Sequence, residues 1–145
     1  MKKSKLIALL RSFDATELRQ FKEFVASPYF NKNDRLIPFL EYLSDCAPGF
    51  AAADLDKNRV YARVFPGEAF DGKQLAYLMN YLLKLAKQFL CIQQYEGEPF
   101  AARYHLLKAF LNRRLDKHFS YCLNKTRELL EERRDSGPGY YYYAS

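Results

Sequence analysis

Apolar residues recur along this chain at the spacing of an α-helix, and the pattern is longest between residues 72 and 95. Projected at about 100° per residue, its apolar positions fall within one arc nearly half of the helix circumference wide. These positions are Leu75, Leu78, Met79, Leu82, Leu83, Leu85, Ala86, Phe89 and Leu90. Because so wide an arc is typical of burial against more than one neighbour, the sequence predicts a long central helix there.

Shorter helical patterns precede this segment. Residues 5–12 carry an apolar cluster that predicts a first helix. Asp14 and Glu17 have the spacing of a capping box, in which each side chain bonds the other residue's amide, so a second helix is expected to begin there. The residue before a proline disfavours helical backbone, so Ser27-Pro28 is expected to end that helix.

Further helix starts are predicted from polar residues that accept hydrogen bonds from the first amides of a helix. Asn31 or Asn33 is expected to cap the next helix, and Asp56 a short one after it. Asp71 with Gln74 again has capping-box spacing, and it opens the long helix. No segment alternates between apolar and polar residues with turn signals at its ends, so no sheet is predicted.

Two more helices are predicted after Gly97, from about 99 to 114 and from about 116 to 134. Their apolar faces are predicted to be Phe100, Tyr104, Leu107 and Leu111 in the first, and Phe119, Leu123, Thr126 and Leu130 in the second. Because only a short turn joins them, they are expected to lie antiparallel as a helical hairpin.

These patterns define the predicted fold class, which is all-α. We expect an irregular multi-helix array around one long central helix, ending in the antiparallel helical hairpin. Residues 1–136 are expected to form a single all-helical domain, a usual size for one domain. Residues 137–145 are expected to be a tail, the truncated start of a further element, because four consecutive tyrosines are an unusual apolar cluster to leave at an exposed end.

Two stretches, "FKEFVASPYFNKNDRLIPFLEYL" and "VFPGEAFDGKQLAYLMNYLLKLAKQFL", resemble a family of uncharacterised, largely helical proteins from Bacteroidota. The most specific pieces are the segment from Ser27 to Asn33 and the Leu/Phe spacing of the long helix. The resemblance covers most of residues 5–134. It implies that the chain is the N-terminal part of a longer protein, and it implies no activity.

The stretch around residues 56–90 admits a second interpretation, as a helix-turn-helix-like pair that reads DNA or RNA. Its candidate contact residues are Lys73, Tyr77, Asn80, Lys84 and Lys87, which share one acid-free side of the long helix. Although the net charge is +6, residues 51–100 hold six basic and six acidic side chains. A nucleic-acid binder concentrates basic charge where it meets phosphate, so packing is favoured over readout.

Candidate partner-binding residues are aromatic. Tyr29 and Phe30 lie between two predicted helices, either as a plug that seals the helix ends or as an exposed binding patch. Tyr140, Tyr141, Tyr142 and Tyr143 are expected either to pack back on the domain or to dock on another molecule.

No catalytic, cofactor-binding or metal-binding residue is predicted. His118 and Cys122 have the i, i+4 spacing that can place two ligands on one metal, but a structural zinc site needs four ligands. We expect a partly exposed histidine and a core cysteine there. The three cysteines are expected to be small buried residues in a reducing compartment.

The predicted function is therefore a non-enzymatic helical protein-interaction module, located in the cytoplasm. The start of the chain lacks the apolar length of a signal peptide, and no stretch approaches the about 20 apolar residues of a membrane span. Its partner is expected to be a protein, either the rest of a longer parent chain or a second protein. The alternative is a DNA- or RNA-binding module, which the charge balance disfavours.

Overall fold

A computed structural model describes Met1 and residues 4–135, and within this part of the chain every regular element is a helix. There are seven: α1 Lys5–Arg11, α2 Ala15–Ala26, α3 Leu36–Asp45, α4 Lys57–Val64, α5 Gly72–Glu96, α6 Pro99–Asn112 and α7 Asp116–Asp135. The all-α prediction and the long central helix are confirmed. None of these helices has the length and apolar character needed to cross a lipid bilayer.

Three of the predicted helix starts are confirmed by hydrogen bonds. At α2, Asp14 Oδ1 accepts from the Glu17 amide at 2.8 Å, and the Asp14 amide donates to Glu17 Oε1 at 3.2 Å. Asp56 accepts from an early amide of α4, and Asp71 accepts from the Lys73 and Gln74 amides at the start of α5. Each bond satisfies a backbone donor that a helix leaves unpaired at its start.

The prediction that Asn31 or Asn33 caps α3 is wrong. The residue before α3 is Arg35, whose side chain makes no capping bond. Asn33 lies two residues earlier, where its side-chain oxygen accepts from the Arg35 amide at 3.0 Å. Asn31 is turned inward and holds the loop before α3 rather than the helix itself.

The chain divides into two compact units, which we call the N-terminal unit (Met1–Cys91) and the C-terminal unit (Ile92–Ser145), with the boundary inside α5. Compactness does not decide whether two units unfold together, so the single domain over 1–136 stays a prediction. The predicted tail at 137–145 lies outside the described residues.

The core of the N-terminal unit is built by apolar faces of α1 to α5. The predicted stripe of α5 is confirmed, since Leu75, Leu78, Leu82, Leu85, Ala86 and Phe89 are buried. One part of this core is aromatic: the Phe21 ring centroid lies 5.7 Å from that of Phe13 and 5.4 Å from that of Phe89. Such ring pairs stabilise a core beyond the area that they bury.

The C-terminal unit contains the predicted antiparallel hairpin. At one end the Arg133 guanidinium of α7 lies 4.7 Å from the ring centroid of Phe100 in α6. At the other end the Phe110 and His118 rings stack with centroids 5.3 Å apart. The start of α6 therefore meets the end of α7, and the end of α6 meets the start of α7.

The turn between α6 and α7 is a Schellman motif with an arginine at the position that glycine usually fills. The Leu115 amide donates to the Phe110 carbonyl at 2.9 Å, and the Arg114 amide to the Leu111 carbonyl at 3.1 Å. Arg114 has a backbone φ of 58°. In this left-handed region the Cβ atom of an L-residue crowds the backbone, and glycine has no Cβ.

We expect Arg114→Gly to raise the free energy of unfolding by about 0.5–1 kcal/mol, since relief of strain outweighs the added freedom of the unfolded chain. Urea unfolding followed by circular dichroism measures the change. Arg114→Ala, which loses the same side chain and keeps the strain, is the matched control and should stay near the wild type. A glycine variant less stable than the alanine variant would contradict the assignment of the turn.

Candidate partner-binding and basic surfaces

Asn31 organises the loop between α2 and α3. It is the one polar side chain among the described residues that is buried, with 7% of its surface exposed. Its amide nitrogen donates to the carbonyls of Val25 at 2.9 Å and Asn33 at 3.0 Å, while its oxygen accepts from the Asn33 amide at 2.9 Å. These bonds close the loop and fix the direction of the two aromatic residues before Asn31.

The two aromatic residues of this loop differ in burial. Phe30 is half-buried, and its ring stacks on Phe24 with centroids 4.4 Å apart. Phe24 in turn lies 5.6 Å from Phe89 of α5, so Phe30 plugs the edge of the core. Tyr29 leaves 81% of its surface exposed, and its role in partner binding stays a prediction.

All five candidate nucleic-acid contacts lie exposed on one side of α5. We call Lys73, Tyr77, Asn80, Lys84 and Lys87 the basic face. Glu96, at the last residue of α5, is the only acidic residue within that helix. The basic face is therefore open as well as acid-free.

The loop of Tyr29 lies next to the basic face. Tyr81 of α5 has its ring centroid 6.0 Å from that of Tyr77, and its hydroxyl oxygen accepts from the Lys32 amide at 3.3 Å. The backbone of Lys32 therefore lies beside α5, while its ammonium donates to the Pro28 carbonyl of its own loop. This contact was not predictable, because no periodicity relates a loop residue to a helix 49 positions later.

The α6–α7 hairpin exposes much of the surface that its sequence pattern predicts to be core. Tyr104 and Leu111 each leave 60% of their surface exposed, and Leu130 leaves 44%. No residue of α6 is buried, and among the described residues of the C-terminal unit Cys122 is the only buried hydrophobic one. The predicted core faces of α6 and α7 are wrong at Tyr104, Leu111 and Leu130, because two helices alone leave the outer half of each apolar stripe uncovered.

These exposed residues share one side of the hairpin. Tyr104 and Leu111 are seven residues apart, as are Leu130 and the half-buried Leu123. Viewed along each helix from its N-terminus, the pair lies roughly 60–80° around the helix axis from the residues that face the other helix. The direction of this offset is the same in both helices. Because the helices are antiparallel, that offset brings both pairs to the same side. We call Tyr104, Leu111, Leu123 and Leu130 the hairpin face.

Basic residues flank the hairpin face. Lys108 lies one turn after Tyr104, Arg127 one turn after Leu123, and Arg134 one turn after Leu130, and all three are exposed. Residues four apart are neighbours on a helix surface, so each cation borders an apolar side chain. Asp116, seven residues before Leu123, is an acidic residue on the same side, and Glu131 lies one turn after Arg127.

The described residues contain no group of three or more His, Cys, Asp or Glu side chains that would hold a metal ion. His118 is exposed and Cys122 is buried, as predicted. The prediction that all three cysteines are buried is wrong, because Cys91 lies exposed on α5 and Cys46 is half-buried. Burial raises the pKa of the Cys46 thiol, which makes it less nucleophilic near neutral pH.

Comparison of the chain with protein-family models, curated proteins and solved structures finds no match. The resemblance to a Bacteroidota family stays a prediction. Functional inference therefore rests on the two surfaces and on the contacts that shape them.

Proposed function

We propose that this chain is a non-enzymatic helical protein-interaction module that binds an amphipathic helix of another protein on its hairpin face. One observation carries the proposal: α6 and α7 present Tyr104, Leu111 and Leu130 to solvent while the described part of their unit buries only Cys122. Contiguous exposed apolar residues rimmed by polar ones are typical of interaction sites.

The geometry of the hairpin face suits a helix. Two antiparallel helices form a groove between them, and side chains spaced seven residues apart line each wall. A third helix laid in such a groove buries its own apolar side, as in other helix-in-groove complexes. Each square ångström of apolar surface removed from water contributes roughly 25 cal/mol.

The flanking charges define the chemistry of the partner. Lys108, Arg127 and Arg134 border the apolar groove, so acidic residues beside the partner's apolar side complement them. Charge complementarity at a rim raises the association rate and excludes partners of the wrong sign. The preferred occupant is therefore an amphipathic helix with Leu on one side and Glu at its edges.

A titration with a defined peptide tests the proposal. The probe is an amphipathic peptide of about 20 residues, roughly 30 Å long as a helix, with Leu on one side and Glu at both edges. Its binding is measured by fluorescence anisotropy. The same peptide with Lys in place of Glu is the charge control, and we expect it to bind at least about tenfold more weakly, or 1.4 kcal/mol.

Two substitutions locate the binding surface. Tyr104→Lys places a charge in the groove and should weaken the Glu peptide about tenfold or more, since desolvating the new charge costs free energy. Tyr77→Lys is the matched control, because Tyr77 is a tyrosine of similar exposure, 57% against 60%, on the basic face of α5. Equal weakening by both variants, or equal binding of the Glu and Lys peptides, would overturn the proposal.

A second candidate function is nucleic-acid binding through the basic face. The observation in its favour is that Lys73, Lys84 and Lys87 are all exposed on a side of α5 that also presents Tyr77 and Asn80. Lysines neutralise phosphates, and tyrosine rings stack on unpaired bases. Three more cations lie on α4, but over residues 51–100 the six basic side chains are matched by six acidic ones. Binding is therefore expected to be weak and not sequence-specific.

The salt dependence of binding tests this candidate. Anisotropy of labelled duplex DNA and single-stranded RNA is measured at about 50 and 200 mM salt, where phosphate contacts lose affinity steeply. The slope of the logarithm of the binding constant against the logarithm of salt concentration measures these contacts. A Lys84→Ala/Lys87→Ala variant should reduce the magnitude of this slope by about two, one for each phosphate that a lysine no longer neutralises. Lys117→Ala/Lys125→Ala, on α7, removes the same charge elsewhere and controls for net charge. Sequence-specific binding that persists at the higher salt would place nucleic-acid recognition above protein interaction.

A further inference from the structure

A cavity of about 370 Å³ lies within the N-terminal unit, and none of its lining residues belongs to the basic face or to the hairpin face. Its walls come from the end of α1, the start of α2 and the loop that follows α3. Its volume falls at the lower end of the about 300–1,000 Å³ that is usual for small-molecule sites.

The cavity combines an apolar floor with a cationic rim. Phe13, Leu18 and Phe50 are buried residues of the core that also line the cavity. Its charged lining residues are Arg11, Arg19 and Lys22, against one acidic residue, Asp14, whose carboxylate caps α2. An apolar pocket with a few convergent polar groups is the usual form of a ligand site.

The three cations of the lining differ in whether they already have a hydrogen-bond or ion-pair partner. Lys22 pairs with Glu41 at 3.3 Å. Arg11 donates through Nη2 to the Phe50 carbonyl at 3.3 Å, and its guanidinium lies 5.6 Å from the Phe50 ring centroid. Among the described residues Arg19 has no hydrogen bond or ion pair, and it is exposed. Arg19 is therefore the cation that is free to bind an anion.

Phe50, which forms one wall of the cavity, has an unusual backbone conformation. Phe50 has a backbone φ of 46°, in the left-handed region that a bulky residue rarely adopts. Its amide donates to the Cys46 carbonyl at 2.8 Å, and Arg11 holds its carbonyl. Residues held in this way gather at ligand sites, where the surrounding contacts enforce a shape that the backbone alone disfavours.

We propose that this cavity binds a carboxylate attached to an apolar group. The apolar group lies against Phe13, Leu18 and Phe50, and the carboxylate accepts hydrogen bonds from Arg19, with Arg11 beside it. A guanidinium donates two parallel hydrogen bonds to a carboxylate, which fixes the orientation of the ligand. The carboxylate belongs either to a free organic acid or to the C-terminal residue of a peptide.

Nuclear magnetic resonance titration of the ¹⁵N-labelled chain tests the site with three probes. These are 3-phenylpropionate, a short peptide that ends in Phe with a free carboxyl group, and the same peptide with a C-terminal amide. We expect saturable shifts at Leu18, Arg19 and Phe50 with a dissociation constant of about 1 mM or lower for at least one acid, and none for the amide. The tighter of the two acids identifies the source of the carboxylate.

Arg19→Gln should weaken acid binding about tenfold or more, which corresponds to 1.4 kcal/mol, and Arg19→Lys should restore part of it. Because Arg19 is exposed, neither change removes a core contact, and circular dichroism checks that both variants fold. Gln20→Ala, at the next exposed position of α2, is the control and should leave binding unchanged. Equal binding of acid and amide, no saturable shift with either acid, or an Arg19→Gln variant that binds as the wild type does would overturn the proposal.

Discussion

Replacing Phe21 with alanine lowers the free energy of unfolding by about 3–5 kcal/mol, as expected for a large ring removed from a packed core. The Phe21 side chain is fully buried, and its ring contacts Phe13, Phe24 and Phe89. The substitution removes three ring pairs together, and the cavity that remains cannot close without moving α2 relative to α5. Urea unfolding followed by circular dichroism measures the change.

The matched control is Phe70→Ala. Phe70 is also a phenylalanine, but it leaves 46% of its surface exposed in the turn before α5. Its ring packs on Tyr61 at a centroid distance of 5.3 Å, which predicts a decrease in stability of about 1 kcal/mol. Comparable decreases for Phe21→Ala and Phe70→Ala would contradict the aromatic core described here.

Replacing Asn31 with alanine lowers the free energy of unfolding by about 2–3 kcal/mol. The substitution removes a buried amide and leaves the Val25 carbonyl without the partner that it has in the wild type. A buried polar group left without a hydrogen bond costs about 1–3 kcal/mol, and the Asn33 amide loses its partner as well. The Asn33 carbonyl keeps the Leu36 amide as a donor. The same urea unfolding experiment applies.

Asn58→Ala is the control for this substitution, since Asn58 is exposed on α4 and the change should stay within about 0.5 kcal/mol. A second readout is the backbone ¹⁵N relaxation of Tyr29, which should show greater motion once the loop loses the bonds of Asn31. An Asn31→Ala variant as stable as Asn58→Ala would show that the loop does not depend on Asn31.

Local chemistry made much of this fold predictable from sequence. The reciprocal bonds of Asp14 and Glu17 depend on residues three positions apart, so the start of α2 is readable in the chain. The stripe of α5 is readable for a similar reason, because helical geometry alone brings Leu75, Leu78 and Leu82 to one side.

Features that depend on distant residues were not predictable. Tyr29 and Phe30 are adjacent and similar, and only the position of Phe24 decides which ring is buried. The inward turn of Asn31 likewise depends on the Val25 carbonyl at the end of α2. Sequence pattern placed both residues in a loop and left their orientation open.

The exposure of the hairpin face was also not predictable from sequence. Apolar spacing in α6 and α7 correctly predicts which side of each helix is apolar, but it carries no information on what covers that side. Tyr104 and Leu111 have the pattern of core residues and the exposure of surface residues. An apolar side that the sequence predicts and that the fold leaves exposed is therefore a candidate binding surface.

Hydrogen–deuterium exchange of the full chain, with and without the Glu-edged peptide, tests the central claim most directly, because it reports where the partner binds as well as whether it does. A helix lying on the hairpin face should slow exchange of backbone amides within residues 99–135 and leave residues 72–91 unchanged. Protection confined to residues 72–91, or none in the hairpin at a peptide concentration that saturates the anisotropy signal, would contradict the assignment of the hairpin face as the partner-binding surface.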